Sequence, residues 1–420
     1  MSSPSSQHSF YEVNGVVTAP VLYREAATSV VASGFPAARP EHSLLLTCAR
    51  ASLDETQRKR IQDLVSQPLD WDLVLQLADR HGLQPLLHWH LNDVCPNAVP
   101  AGIRQHLRVA FQRVSALNIL LTHELQRLLA LFADHDVQAV PYKGPALALQ
   151  LYGDVALRQF SDLDILVHPR DVLRARDLLI AEGYAQLPPL TDGQQAVLLR
   201  TQCNLPFTRE RNRMIVELHW TVSAPTFARP FEADAFWSRL VNARLETMSI
   251  KVPANEDLVL ALCIHGTKHL WERLAWICDI AGLVAHTELN WEELIRRARA
   301  TGNERMLFLG LRLAADLLEA PLPVRVEAAL NADASVAALA RDVIRDLFTP
   351  ALTRTGMSGY FRFQLRARRR LRDKLNYLRF TFTPNEKDLV RLKLPPALNF
   401  IYYLVRPLRL VVTGGPSHFH

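Results

Sequence analysis

Asp162 and Asp164 stand two apart in an otherwise apolar run, Asp162-Leu-Asp-Ile-Leu-Val167. Side chains two apart on a β-strand share a face, about 6.5–7 Å apart at the Cα level. The two carboxylates can therefore converge while Leu163 and Ile165 turn into a core. Metal ions in phosphoryl-transfer sites sit about 3.5–4 Å apart, which suits two or three converging carboxylates. Mg²⁺ takes oxygen ligands of this kind, completed by waters and substrate phosphates. A solvated strand end also produces Asp-x-Asp. However, the apolar residues after Asp164 mark this strand as buried, where unpaired carboxylates are costly. Glu217, on a later strand, is the candidate third carboxylate. His219 shares its face and can orient an acceptor or serve as a base.

Lys143-Gly144-Pro145 precedes the acids. Proline suits a first helical turn, and a glycine at a helix start leaves backbone N–H groups facing an anion. Lys143 can meet a phosphate oxygen while the Gly144 backbone approaches closely. Arg158, four residues before Asp162, is a candidate second phosphate clamp or a partner for the carboxylates, and Ser161 adds a hydroxyl.

The elements that must position these groups follow from the flanks. Val140 to Tyr142 is a strand, Gly144-Pro145 a tight turn, and Ala146 to Gly153 a short helix. A loop with Arg158 leads into the second strand, and a helix runs from about Arg170 to Gly183. Gln202–Arg209 and Arg213–Trp220 form two more strands joined by a charged turn. Residues 41–136 read as helices, with Asp54 a cap before Glu55, His81-Gly82 a stop and 103–134 a long amphipathic run. Helices return from Asn255 to about residue 347.

We therefore expect an α+β protein, a small mixed β-sheet core flanked by N- and C-terminal helical regions. The expected divisions are a poorly ordered leader at 1–40, a helical region at 41–136, the core at 137–250, a helical domain at 251–348 and a basic amphipathic tail at 349–420. A chain of 420 residues is long enough for two or three domains.

The five cysteines are scattered and form no Cys-x-x-Cys pair, so neither a disulfide framework nor a thiolate zinc site is indicated. Together with an N-terminus that lacks a secretion pattern, this points to a reducing, cytoplasmic location. The net charge of +6 is uneven: residues 361–410 hold thirteen Lys/Arg against three Asp/Glu, leaving the remainder at −4. That imbalance argues against a protein that coats nucleic acid. Around Arg366–Arg379 the leucines interleave with the basic residues, so this helix can pack its apolar stripe on the protein or lie on an anionic membrane. We expect packing, with weak membrane-surface contact as the other possibility.

The combined order resembles the bacterial family called uncharacterised nucleotidyltransferases, within the DNA-polymerase-beta-like superfamily. The matching motifs are Lys143-Gly144 with Ala146-Leu-Ala148, Leu151-Tyr-Gly-Asp154, Arg158, Asp162-x-Asp164-Ile-Leu-Val167 and Glu217-Leu-His219-Trp220. His265, His269, Trp271 and Asp279 match in the helical half. The resemblance implies Mg²⁺-dependent transfer of a nucleotidyl group from a nucleoside triphosphate, ATP among them. Two Mg²⁺ ions are expected, with Mn²⁺ as a substitute, held by Asp162, Asp164 and Glu217. The acceptor, a protein, an RNA or a small molecule, is left open. The superfamily's Gly-Ser signature is replaced here by Lys143-Gly144. His265 and His269 have the spacing of a helical metal pair but lack a glutamate after the first histidine, so no zinc-protease motif forms. With Lys268 they are candidate cleft residues.

Overall fold

The computed structural model of the protein describes residues 39–209, 214–349, 356–380, 382–391, 394 and 396–412. The leader expected at 1–40 lies outside these residues, apart from Arg39 and Pro40. The described residues open with helices α1 (Pro40–Cys48), α2 (Glu55–Val65), α3 (Trp71–His81), α4 (Gln84–Val94) and α5 (Ala101–Asp134). Asp54 caps α2 in a reciprocal box with Gln57, and Gly82 ends α3 in the left-handed conformation.

The central unit runs β1 (Ala139–Pro141), α6 (Gly144–Tyr152), β2 (Asp162–Val167), α7 (Val172–Ala181), β3 (Ala185–Gln186), α8 (Asp192–Thr201), β4 (Asn204–Arg209) and β5 (Met214–His219). The strands form one five-stranded mixed sheet in the order β1-β2-β5-β4-β3. Only β2 and β5 are parallel, with Asp164 level with Glu217 and Leu166 with His219. Pro141 sits on the edge strand, where its missing N–H costs no ladder bond. Alternation sorts the faces: Leu163, Ile165, Val167, Phe207, Val216 and Leu218 share a core with α5 and α7. The other face carries Asp164, Glu217 and His219. It too is covered, since Val140, Tyr142 and Leu166 pack with Phe236 of α9 (Ala233–Ser238).

A hairpin of β6 (Val241–Leu245) and β7 (Met248–Val252) follows. Then come α10 (Asn255–Lys268), α11 (Leu274–His286), α12 (Trp291–Thr301), α13 (Glu304–Leu318), α14 (Val324–Asn331) and α15 (Ala334–Leu347). They pack with α1–α4 around one large core. Helix α6 belongs to both cores: Leu147 and Leu151 lie in the helical one, Ala148 in that of the sheet. Among the described residues no helix is long and apolar enough to cross a membrane.

The tail forms α16 (Met357–Arg366), α17 (Leu371–Phe380), α18 (Glu386–Arg391) and α19 (Tyr402–Val412). Here the structure corrects an expectation. The leucine stripe of α17 does not pack: Leu371, Leu375 and Leu378 are exposed, whereas Asp373, Tyr377 and Phe380 are buried. The aromatic side wins because Tyr377 and Phe380 stack edge-on to Phe227. Buried Arg368 lies 4.0 Å from the Tyr377 ring centre and 4.7 Å from that of Phe227.

Candidate functional site

Asp164 is the middle of the site. It sits on the third residue of β2 and is only 5% exposed. Lys143 Nζ donates to its Oδ1 at 3.0 Å, and His219 Nε2 stands 3.1 Å from the same oxygen. His219 Nε2 also lies 3.1 Å from Glu217 Oε2, which accepts a further bond from Asn204 Nδ2 at 2.9 Å. Strand register explains the meeting. Parallel pairing sets Glu217 beside Asp164, His219 follows two residues on, and antiparallel β4 places Asn204 opposite His219. Tyr142 meets the His219 ring edge-on, and Lys143 lies over the Tyr142 ring.

The charges hold one another. Burial opposes ionisation of Asp164, but Lys143 and His219 outweigh it and keep the carboxyl well below its usual range. Burial likewise works against a charged His219. Hydrogen bonds to Asp164, Cys203 and Glu217 reverse that and hold the imidazolium well above its ordinary value. Lys143 is raised for the same reason, against its own burial, by Asp164, Asp162 and Glu217. Asp162, at the head of the strand, lacks such a donor; burial and the Asp164 charge push it up to about 6.

Among the described residues the tight group able to hold a metal ion is Asp164, Glu217 and His219, with one ligand atom from each within 4.8 Å of the others. The expected set had Asp162 where this group has His219. Asp162 is half-buried one pleat away, on the same face of β2. The donors fit a divalent cation once His219 gives up its Nε2 proton: two carboxylate oxygens and an imidazole nitrogen converge, and a third carboxylate, Asp162, lies on the same face of β2.

Lys143 and Gly144 open α6. The helix starts without a side-chain cap, so its first N–H groups have no intrahelical or capping partner. Gly144 adopts φ +57°, a left-handed conformation that admits glycine readily. Ser161 is exposed at the entrance to β2.

Arg158, the candidate phosphate clamp or carboxylate partner, is engaged within the protein: its Nε and Nη2 donate to the two oxygens of Asp279 at 3.0 and 2.9 Å, and the pair is buried. Tyr152 joins at Asp279 Oδ1, and Asn118 of α5 holds the loop by donating to the carbonyls of Val155 and Arg158. The arginine thus ties the sheet to α11. The sequence offered only local partners for it, and Asp279 is 121 residues away.

His265 on α10 and His269, the residue that caps its end, lie one turn apart with ring centres 4.7 Å apart, and both meet Trp276. Burial, then the charges of Lys143, His269 and Lys268, push His265 well below its usual pKa, so it is neutral. The charges of Lys143 and Arg158 both reach His265. Lys268 ends α10 half-buried, and its carbonyl accepts from Tyr360 and Gln364 of α16.

Residues 67–319 match the family described as uncharacterised nucleotidyltransferase. The chain belongs to this nucleotidyltransferase family. No curated protein matches it. The matched span includes every site residue named above, as well as the Arg158–Asp279 pair. Membership of this family implies a nucleotide substrate.

Proposed function

We propose that this nucleotidyltransferase moves a nucleoside monophosphate from a nucleoside triphosphate to an acceptor hydroxyl, phosphate or side chain, with Mg²⁺ or Mn²⁺. The observation that carries the reading is the pairing of Asp164 with Glu217 on adjacent parallel strands, opposite Lys143 at the uncapped start of α6. Asp162, Asp164, Glu217 and His219 would hold the cation, which supplies Lewis-acid polarisation of the phosphates when bound. Lys143 offsets charge on the leaving pyrophosphate, and the first N–H groups of α6, with Ser161, orient the phosphate chain. Neutral His265, with His269 and Lys268, lines the acceptor side. Arg158 keeps the sheet and α11 in register. The acceptor is a protein, an RNA or a small molecule. The chain's place in the polymerase-beta-like superfamily and a reducing, cytoplasmic setting belong to the same reading.

The test is the double variant Asp162→Asn, Asp164→Asn. Loss of both divalent-ion binding and pyrophosphate release supports the assignment; undiminished turnover ends it. One observation favours a second reading, a nucleotide-binding protein without turnover: Lys143 and His219 already balance the charge of Asp164. Calorimetry with the four triphosphates and Mg²⁺, run beside the pyrophosphate assay on host lysate, separates the two. Binding without release across all acceptor fractions would favour the second.

A further inference from the structure

We propose that the tail around α17 and α19 is a docking surface for anionic lipid bilayers. At about 100° per residue, Leu371, Leu375 and Leu378 fall within roughly 60° of one another on α17. These side chains are 71%, 52% and 42% exposed. Arg372 and Arg379 border the stripe on one side and Lys374 on the other. The opposite side of the helix is fixed by buried Asp373, Tyr377 and Phe380, so the leucines stay outward. Helix α19 joins the same unit through Arg406, whose guanidinium lies 5.3 Å from the Phe380 ring centre. With Phe400 in the turn before it, α19 adds a second exposed run: Phe400, Leu404 and Leu408 are 62%, 61% and 67% exposed. An apolar stripe bordered by basic side chains on a packed helix is the arrangement of a segment that lies in the headgroup plane.

An open cleft of about 600 Å³ adjoins the stripe. Arg229, Arg372, Arg379 and Asn376 line it, with Glu232 and Asp373 as its acids. Arg372 and Arg379 therefore belong both to the cleft and to the border of the stripe. Arg379 makes no ion pair among the described residues. A lipid phosphate entering the cleft would leave its acyl chains beside the leucines.

Charge selects the occupant. Residues 361–410 hold thirteen basic against three acidic residues, while the rest of the chain is at −4. A second copy would present the same positive face, and like charges repel across a self-complementary contact. A nucleic-acid backbone would satisfy the arginines but not the leucines. An anionic bilayer satisfies both.

The experiment floats the full-length protein with phosphatidylcholine vesicles, with and without phosphatidylglycerol. The wild type should float with the anionic vesicles only, less as salt rises. Replacing Arg372 and Arg379 by serine should weaken binding by roughly tenfold to thirtyfold, at about 1 kcal/mol per charge near the surface. The triple variant Leu371→Ser, Leu375→Ser, Leu378→Ser should lose it. No wild-type flotation, equal flotation with neutral vesicles, or flotation unchanged in the arginine variant would overturn the proposal. A wild-type dimer in sedimentation that the leucine variant abolishes, without lipid binding, would overturn it in favour of a second copy. Should the leucine variant misfold, the arginine variant and the salt series still decide.

Discussion

His219 Nε2 lies 3.1 Å from Asp164 Oδ1, so a ring on β5 is bonded to a carboxylate on the neighbouring parallel strand. The same nitrogen reaches Glu217 at 3.1 Å. Removing the ring as His219→Ala leaves buried Asp164 and half-buried Glu217 with one donor fewer. Divalent-ion affinity should fall about 10- to 100-fold, the usual loss on removing a group that orients metal ligands. Titration calorimetry with Mn²⁺ reads it. Affinity equal to the wild type would remove His219 from the site.

Asp164→Asn keeps the shape but deletes the charge that Lys143 and His219 both face. Nucleotidyl transfer should drop at least about 10²-fold. Lys143→Met should raise the triphosphate KM as well as lower the rate. Steady-state pyrophosphate release measures both. A Lys143→Met variant with unaltered KM would show that the ammonium serves Asp164 alone.

The Arg158–Asp279 pair predicts a strong coupling. Cutting either partner strands a buried charge, so Arg158→Met and Asp279→Leu should each cost about 3–5 kcal/mol. The double variant should recover most of that loss. Urea melts of the four proteins give the cycle. Additive single losses would mean that the two groups act independently.

Gly144→Ala tests the bend before α6. A Cβ there would stand 3.7 Å from the Asp162 carbonyl oxygen, an ordinary contact, so crowding is not the issue. Its φ of +57° is. Holding a non-glycine residue in that region costs about 1–2 kcal/mol. A thermal melt should register the loss, and triphosphate binding should weaken as the turn relaxes. Wild-type values for both would mean that the bend tolerates alanine.

His90 supplies a pH dependence remote from the site. It is buried, with Nε2 2.8 Å from the Arg50 carbonyl, and burial lowers its pKa despite that bond. The unfolded chain takes up a proton first as the pH drops, so this contribution is present above about pH 6.5 and is lost below it. Melts between about pH 7.5 and 5.5 should show stability falling, and His90→Gln should flatten the fall. A variant with an unchanged slope would assign the effect to other groups.

Much of the sheet was readable because the acids of β2 and the Glu217–His219 pair of β5 alternate with apolar residues and share one face. The helix α8 was missed although Thr191 and Gln194 form a capping box and Asp192 lies in its first turn. The β6–β7 hairpin also alternates, but its turn places Glu246 at φ +55° where glycine or asparagine would have advertised a bend. The site's acids were legible as a spacing, yet the exchange of Asp162 for His219 in the tight group depends on strand register, which no local pattern fixes. Arg158 and the buried side of α17 were set by partners far along the chain, Asp279 for one and Phe227 for the other.

Helix α6 divides its side chains between two cores, Ala148 to one and Leu147 with Leu151 to the other. A fragment trimmed to the strands would bare that flank and orphan Arg158 at once. The strands that carry the site are therefore no portable cassette, and any shortened gene that works must retain α10 and α11 along with them.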